Sequence, residues 1–388
     1  MRLMFVLSRV PYPLEKGDKL RAFHMIRELS KQHEIYLFCL SATKVHPEAH
    51  AQLKQYCQEV HIEHLSLYGR LVRLALAFFR PIPFQIAYFH SKSAQAQFER
   101  FFEAHLPQHV VCQLVRTAEY VAKYSTIPKT IDIMDALSAG MEKMKRKAKW
   151  PLSWLMDIEH RRLVAYERKV VDQFDHWIII SEQDKKLLNL HKDLSVIPNG
   201  IGPEFFETRD VSKSRDVLFT GNMSYRPNVE SARFLAKEVM PLVWKSHPEV
   251  KLTLCGANPS QLVQSLASDK VEVTGWVDDI VELYQSARIF AAPMLINSGL
   301  QNKLLEAMAS GLPCVTTTLA NNALLAKPDQ AIVIGDTAAE TADAIVKYLN
   351  NKELRDRIAG AGKEFVTHQY NWKNEAARMA TLMGAAGA

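Results

Sequence analysis

"RIFAAPMLINSGLQNKLLEAMASGLPCVTTT", residues 288–318, reads as one strand–loop–helix–strand unit. RIFAAP (288–293) is a short apolar run that stops at a proline, and PCVTTT (313–318) is a second run rich in β-branched residues. Between them lie a polar loop containing Gly299, the helix-period stretch QNKLLEAMAS and a Gly-x-Pro stop. Strands joined through a helix run parallel, so this segment alone argues for an α/β fold. Its helix carries one lysine and one glutamate, Lys303 and Glu306, three residues apart and therefore on one face near the helix opening. Two readings stand. The backbone amides of Leu300, Gln301, Asn302 and Lys303 hold a phosphate, beside the Lys303 cation and a Glu306 carboxylate that accepts sugar hydroxyls. Alternatively, the two ions form a surface pair, with Ser298 and Gln301 as an S-x-x-Q capping box.

Working outward, the same alternation fills the chain. Further strands are expected at 2–8, 35–41, 109–115, 129–134 and 176–181 in the first half, and at 216–221, 250–256, 270–275 and 331–335 in the second. Helical patterns separate most of them, for instance at 19–32, 92–105, 152–173, 229–247, 337–350 and 352–367. Such alternation predicts parallel sheets covered by helices on both faces. At 388 residues the chain exceeds what one core usually supports, and two doubly wound domains fit the count. The seam is VIPNGIGPEFF (196–206), whose prolines and glycines break any regular element.

The bulk composition is that of a globular protein, 48% apolar and 23% charged. MRLMFVLS (1–8) is too short for a signal-peptide core and reads as a buried strand. No stretch approaches the roughly 18 apolar residues that span a bilayer. The five cysteines lack CxxC spacing, which argues against a zinc site or a disulfide framework and for a reducing, cytoplasmic setting. Net charge is +6, and residues 1–199 hold 29 Lys+Arg against 21 Asp+Glu while 200–388 hold 19 against 21. That asymmetry points to an anionic partner on the first half or to a plain solvated basic surface.

In an open α/β sheet, ligands bind beyond the carboxyl ends of the strands, so the loops just after strands carry the candidates. Here the sequence matches a known pattern. The run GLQNKLLEAMASGLPCV resembles the C-terminal signature of the family-4 retaining glycosyltransferases, and PYPLEKGDKLRAFHMIREL, ISEQDKKLL, VIPNGI, VLFTGNMSYRPN, VTGWVDDIVELYQSARIFAAP and QYNWKN extend the likeness over most of the chain. The K-G-D-K-x-R-A-F-H opening and the G-x-Q-N-K-x-L-E-A-M loop look most like sugar transferases of bacterial exopolysaccharide loci.

The resemblance implies the GT-B architecture: two facing Rossmann-like domains with a cleft between them. An acceptor-binding domain would span 1–198 and a nucleotide-sugar domain 199–368, with a helix at 369–388 crossing back to the first. It implies a retaining transferase that moves a sugar from a nucleoside diphosphate donor to a saccharide or polyprenyl-linked acceptor. No cofactor, metal or nucleic acid is expected. Glu306 matches the family's second glutamate, which holds the ribose, whereas the first falls on Ser298. The diphosphate clamp after the first strand of the second domain would fall on Gly221, Asn222 and Arg226, where an amide stands in the usual arginine position. Lys303 would compensate, meeting charge on the departing diphosphate. The base would lie near Gly275–Val277, and Gly17 would approach the donor phosphates or serve as a turn glycine. Asp135 and Ser138 follow a strand on the acceptor side, and Asp135 reads equally well as a helix N-cap. No DxD-type metal motif stands at the site, because Asp278 and Asp279 read as helix caps.

Two segments, 67–89 with Arg70, Arg73 and Arg80, and 141–162 with five Lys/Arg before Trp150 and Trp154, suit the surface of an anionic membrane or a core-packed helix with a basic outer face. Two rival functions remain open at this point: a sugar-nucleotide epimerase on a similar fold, and a non-catalytic nucleotide-binding partner subunit.

Overall fold

The computed structural model describes residues 1–296 and 300–384. The chain forms two compact units, one made of Met1–Asn199 and the segment from Trp372 onward, the other of Gly200–Asn371.

The first unit is built on a seven-stranded sheet of β1 (Arg2–Leu7), β2 (Glu34–Ser41), β3 (Glu59–His64), β4 (His109–Gln113), β5 (Lys129–Met134), β6 (His176–Ile179) and β7 (Ser195–Val196), in the order β3-β2-β1-β4-β5-β6-β7. Every pairing is parallel. Leu3 to Leu7 are all buried, because a central parallel strand is covered on both faces, and the sequence there is accordingly apolar without alternation. Strands β3 and β7 were not expected. EVHIEH interleaves charge because it lies at a sheet edge, and β7 is only two residues long. The helices that matter below are α1 (Gly17–Leu29), α2 (Leu67–Ala77), α3 (Phe84–Phe89), α4 (Leu137–Lys147) and α5 (Leu152–Val171).

The second unit holds six parallel strands, β8 (Arg215–Thr220), β9 (Leu252–Cys255), β10 (Val271–Gly275), β11 (Ala287–Ala292), β12 (Cys314–Thr316) and β13 (Val333–Ile334), in the order β10-β9-β8-β11-β12-β13. Helices α6 (Arg226–Phe234), α7 (Ile280–Ser286) and α8 (Asn302–Ala309) position its site. In both units the first strand has its sequence neighbour on one side and a later strand on the other. Connections diverge there, which opens a crevice at the strand ends.

The final helix, α9 (Trp372–Leu382), belongs to the first unit, so 369–371 stay with the second. Its Trp372 stacks on His24 of α1 at 5.0 Å, and Ala376, Met379 and Ala380 share a core with Ala22, Met25 and Ile26. All five cysteines are buried and unpaired.

Candidate functional site

The chemistry of the second unit gathers where β8 and β11 part. Helix α8 anchors itself by burying Leu304, Leu305, Ala307 and Met308, and this fixes the remaining face, with Lys303 and Glu306, toward the strand ends. The Lys303 ammonium hydrogen-bonds to Oδ1 of Asn228, sits 4.9 Å from the centre of the Phe219 ring and lies 3.9 Å from the Met294 sulfur. Asn228 is itself buried and donates its amide to the Asn222 carbonyl at 3.0 Å. A neutral amide therefore ties the loop after β8 to a cation that no carboxylate neutralises among the described residues. Burial pulls Lys303 down to about 8, with Glu306 pulling the other way.

Glu306 answers to a different partner. Its Oε2 accepts from the Tyr284 hydroxyl at 3.0 Å, and Tyr284 in turn meets the Thr220 hydroxyl at 2.8 Å. One phenol proton goes to Glu306, so Thr220 donates to Tyr284, and the chain Thr220–Tyr284–Glu306 fixes the carboxylate's orientation. Burial raises the Glu306 carboxyl above the usual range, opposed by the Tyr284 bond and by Lys303. No ion pair joins Lys303 to Glu306, so the surface-pair reading fails. Each ion has its own neutral partner.

Close backbone packing completes the floor. A Cβ at Gly221 would fall 2.6 Å from Asn228 Nδ2 and 3.1 Å from Lys303 Nζ, and one at Gly256 would fall 1.7 Å from the Gly221 carbonyl oxygen. Only glycine fits at either place. The Gly256 amide reaches the Gly275 carbonyl at 2.8 Å, so the three glycines cross the ends of β8, β9 and β10. Next to Gly275, Trp276 is 73% exposed, while Val277 is half-buried against the core.

The remaining candidates are distributed as follows. Asn302 is the first residue of α8 and Gln301 its cap, while Leu300 packs on the core. Ser298 and Gly299 lie outside the described residues. Asn222 is exposed, and its Oδ1 accepts from the backbone and hydroxyl of Ser224 at 3.0 and 2.8 Å, which orients its side-chain amide. Arg226 opens α6 exposed to solvent, with no hydrogen bond or ion pair to Lys303, Glu306 or Asn228 among the described residues. Asp279 caps α7 by accepting from the Glu282 amide at 2.9 Å, as its position implied.

In the first unit, a Cβ at Gly17 would meet nothing within 4 Å, so no close approach within the chain requires glycine there. Asp135 is not a cap, because Ala136 occupies that position in α4. Although the residue is exposed, partial desolvation of its carboxyl and then repulsion from Asp184, Asp132 and Asp18 raise it to about 6. Ser138 is buried, and its backbone amide donates to Glu167 of α5 at 3.1 Å. Strand ends here are strained. Leu114, after β4, has φ 62° and ψ 147°, and Met134, closing β5, has φ 63°, conformations that non-glycine residues hold only when surroundings impose them.

Among the described residues no cluster of His, Cys, Asp or Glu is arranged to hold a metal, and no helix is long and apolar enough to cross a membrane.

Residues 214–351, all within the second unit, match the family model described as glycosyl transferases group 1. A phosphatidyl-myo-inositol mannosyltransferase of Mycobacterium leprae is 29% identical over 196 residues, 47% of this chain and 51% of that one. An uncharacterized 44.6 kDa protein in the cps region of Klebsiella pneumoniae is 25% identical over 167 residues, 41% of this chain and 43% of that one. The chain thus spans about half the length of the curated relatives it matches. In fold, Anabaena Alr3699/HepE, solved in complex with UDP, superposes with a TM-score of 0.70 at 14% identity, covering 99% of this chain and 100% of that one. The fold is the GT-B type that the sequence led us to expect.

Asn228 and Tyr284 are the residues sequence reading missed. Both stood inside quoted motifs, SYRPN and VELYQS, but neither is charged, and what marks them is a contact 75 residues away in one case and 22 in the other.

Proposed function

We propose that this chain is a retaining glycosyltransferase that takes a sugar from a nucleoside diphosphate donor, held on the second unit, and passes it to a lipid-linked saccharide at the cytoplasmic face of a membrane, in synthesis of a cell-surface glycan. The observation that carries this reading is the Asn228–Lys303 contact beside Gly221, at the point where β8 and β11 diverge, inside the segment matched by the family model.

Each part has a task. The donor's diphosphate lies at the start of α8, where first-turn amides have no intrahelical partner and the helix dipole favours an anion. Lys303, partly desolvated, meets the charge that grows on the leaving diphosphate as the glycosidic bond breaks, and such fixed charge is worth several kcal/mol to a transition state. Glu306 keeps Oε1 for ribose hydroxyls while Tyr284 holds Oε2. The exposed Trp276 indole offers a stacking face for the base. Retention of configuration follows the family resemblance. The lipid acceptor follows the name of the mycobacterial relative, and the glycan role follows the resemblance to sugar transferases of exopolysaccharide loci.

The membrane part of the proposal draws on α2. Leu67, Tyr68, Leu71, Leu76 and, just beyond the helix, Phe79 are 62%, 80%, 57%, 50% and 90% exposed. Arg70 and Arg73 do not stand beside them, as the sequence implied. Arg70 bonds the Tyr88 hydroxyl, and Arg73 donates to the Ala87 and Tyr88 carbonyls at 3.1 Å each. The apolar face is turned outward and suits the headgroup–acyl boundary of a bilayer. Trp150 and Trp154, 82% and 54% exposed at the start of α5, add interfacial aromatics, and Arg162 of the same helix holds the Ala77 carbonyl at 2.8 Å.

The test is a panel of nucleoside diphosphate sugars, with release of free nucleoside diphosphate measured with and without a bacterial lipid extract. Release that needs the extract and yields a glycosylated lipid supports the proposal. Conversion of donor to its epimer without acceptor would move the chain to the epimerase reading, and donor binding with no turnover on any extract to the partner-subunit one.

A further inference from the structure

We infer that the first unit holds a second anion site, a cavity of about 790 Å³ at the carboxyl ends of β1 and β2, and that it binds the phosphate or diphosphate headgroup of an amphiphilic lipid. The cavity is open to solvent and bounded by the loops after those two strands, by α2 and α3 on one side, and by Arg116. Five of its lining residues are Lys or Arg, namely Arg9, Lys16, Lys19, Lys44 and Arg116, against a single carboxylate, Glu15. A cavity this size, lined by five cationic side chains and one carboxylate, suits a multiply charged anion.

The cations are not all neutralised where they stand. Arg9 pairs with Asp18 at 2.6 Å, and Lys19 reaches Glu15 at 3.5 Å. Arg116, half-buried, spends two N–H groups on the neutral Gln85 side chain at 3.0 and 2.5 Å and lies over the Phe89 ring at 5.5 Å. Burial, and then the nearby Arg9, weaken its hold on its proton. An anion between the two guanidiniums relieves that repulsion and completes their hydrogen bonding. Lys16 and Lys44, both exposed, form no ion pair among the described residues and give the rim a charge that steers anions inward.

The opposite wall is apolar. Leu74, Phe84, Tyr88 and Phe89 line it, and Leu74 belongs to the same helix whose outer face exposes Leu67 and Leu71. A headgroup in the cavity can thus continue into an acyl or isoprenoid chain that leaves along α2 and α3. A free sugar phosphate would use only the cationic side. As the acceptor subsite of a transferase the cavity rests on the function proposed above, but binding itself does not.

The probe is farnesyl diphosphate, titrated calorimetrically into the full chain at low ionic strength, with inorganic diphosphate, farnesol and UDP as separate arms. Farnesyl diphosphate is expected to bind at least about tenfold tighter than either inorganic diphosphate or farnesol, and to weaken as salt rises. Arg116→Gln is expected to lower its affinity by about tenfold or more, and the double exposed variant Lys16→Gln/Lys44→Gln by about threefold to tenfold with unchanged thermal melting. Leu74→Asn should weaken farnesyl diphosphate while leaving inorganic diphosphate unaffected. Inorganic diphosphate binding as tightly as the lipid analogue would reassign the cavity to a soluble phosphate and overturn the lipid claim. Wild-type affinity in the folded lysine variant, or competitive displacement by UDP, would overturn the site itself. Absence of UDP binding to the wild-type chain, with farnesyl diphosphate bound as expected, would instead sink the donor reading and leave this one standing.

Discussion

Helices α2 and α8 are both amphipathic, and they lie opposite ways round. Helix α8 buries its leucines in the second unit's core and presents Lys303 and Glu306 at the strand ends, while α2 turns its arginines to the protein and leaves Leu67, Leu71 and Leu76 in water. The difference comes from what each helix packs on. Strands β11 and β12 offer α8 an apolar surface, and α3 offers α2 the carbonyls of Ala87 and Tyr88, which need donors when half-buried. A repeating apolar pattern therefore fixes that a helix has two faces without fixing which one is wet. An apolar face left wet in a folded chain calls for a partner outside it.

The largest contrast should be in stability. Leu305→Ala removes a fully buried side chain and should cost about 2–5 kcal/mol in urea unfolding, whereas Leu71→Ala should stay within about 0.5 kcal/mol. Equal costs would mean that the α2 face is packed in solution. The second contrast is in membrane binding. Leu71→Ser and Phe79→Ser should each lower partition onto lipid vesicles by about tenfold to a hundredfold, since insertion of such a side chain is worth roughly 1.5–3 kcal/mol. Partition that tracks only salt and is unmoved by these changes would leave the face without its proposed role.

A smaller effect is expected at Glu306. Glu306→Gln keeps the shape and can still accept from Tyr284, but it weakens charged hydrogen bonds to ribose, so donor affinity should drop by about tenfold. A change in kcat alone, with donor affinity intact, would move Glu306 from the ribose to the reaction centre.

How much of this could be read beforehand depends on the distance over which the information travels. The parallel strands, their helices and the shared face of Lys303 and Glu306 follow from spacing within one segment, and there the sequence was enough. Contacts between segments were not legible. Arg226 drew attention as a cation, yet the register of α6 leaves it in solvent and turns Asn228, two residues on, toward Lys303. Asp135 looked like a cap, but the helix starts one residue later, and the Ser138 amide went to Glu167, a partner 29 residues away on a separate helix. Arg70 and Arg73 were read beside the aromatics in their own segment, and only the placement of α3 shows that they point inward.

The central claim is that Lys303, held by Asn228 and lowered to about 8 by burial, is the cation that meets the donor's diphosphate. It is tested most directly by the affinity for the nucleoside diphosphate that binds best, measured from pH 6.5 to 9.5 in wild type, Lys303→Arg and Lys303→Met. Protonated lysine binds the anion and neutral lysine does not, so wild-type affinity should hold below about pH 8 and fall toward a tenfold loss per pH unit above it. The arginine variant should lose that pH dependence, and the methionine variant should bind at least about tenfold more weakly across the neutral range with a flat profile. Wild-type affinity and an unaltered pH profile in Lys303→Met would contradict the assignment.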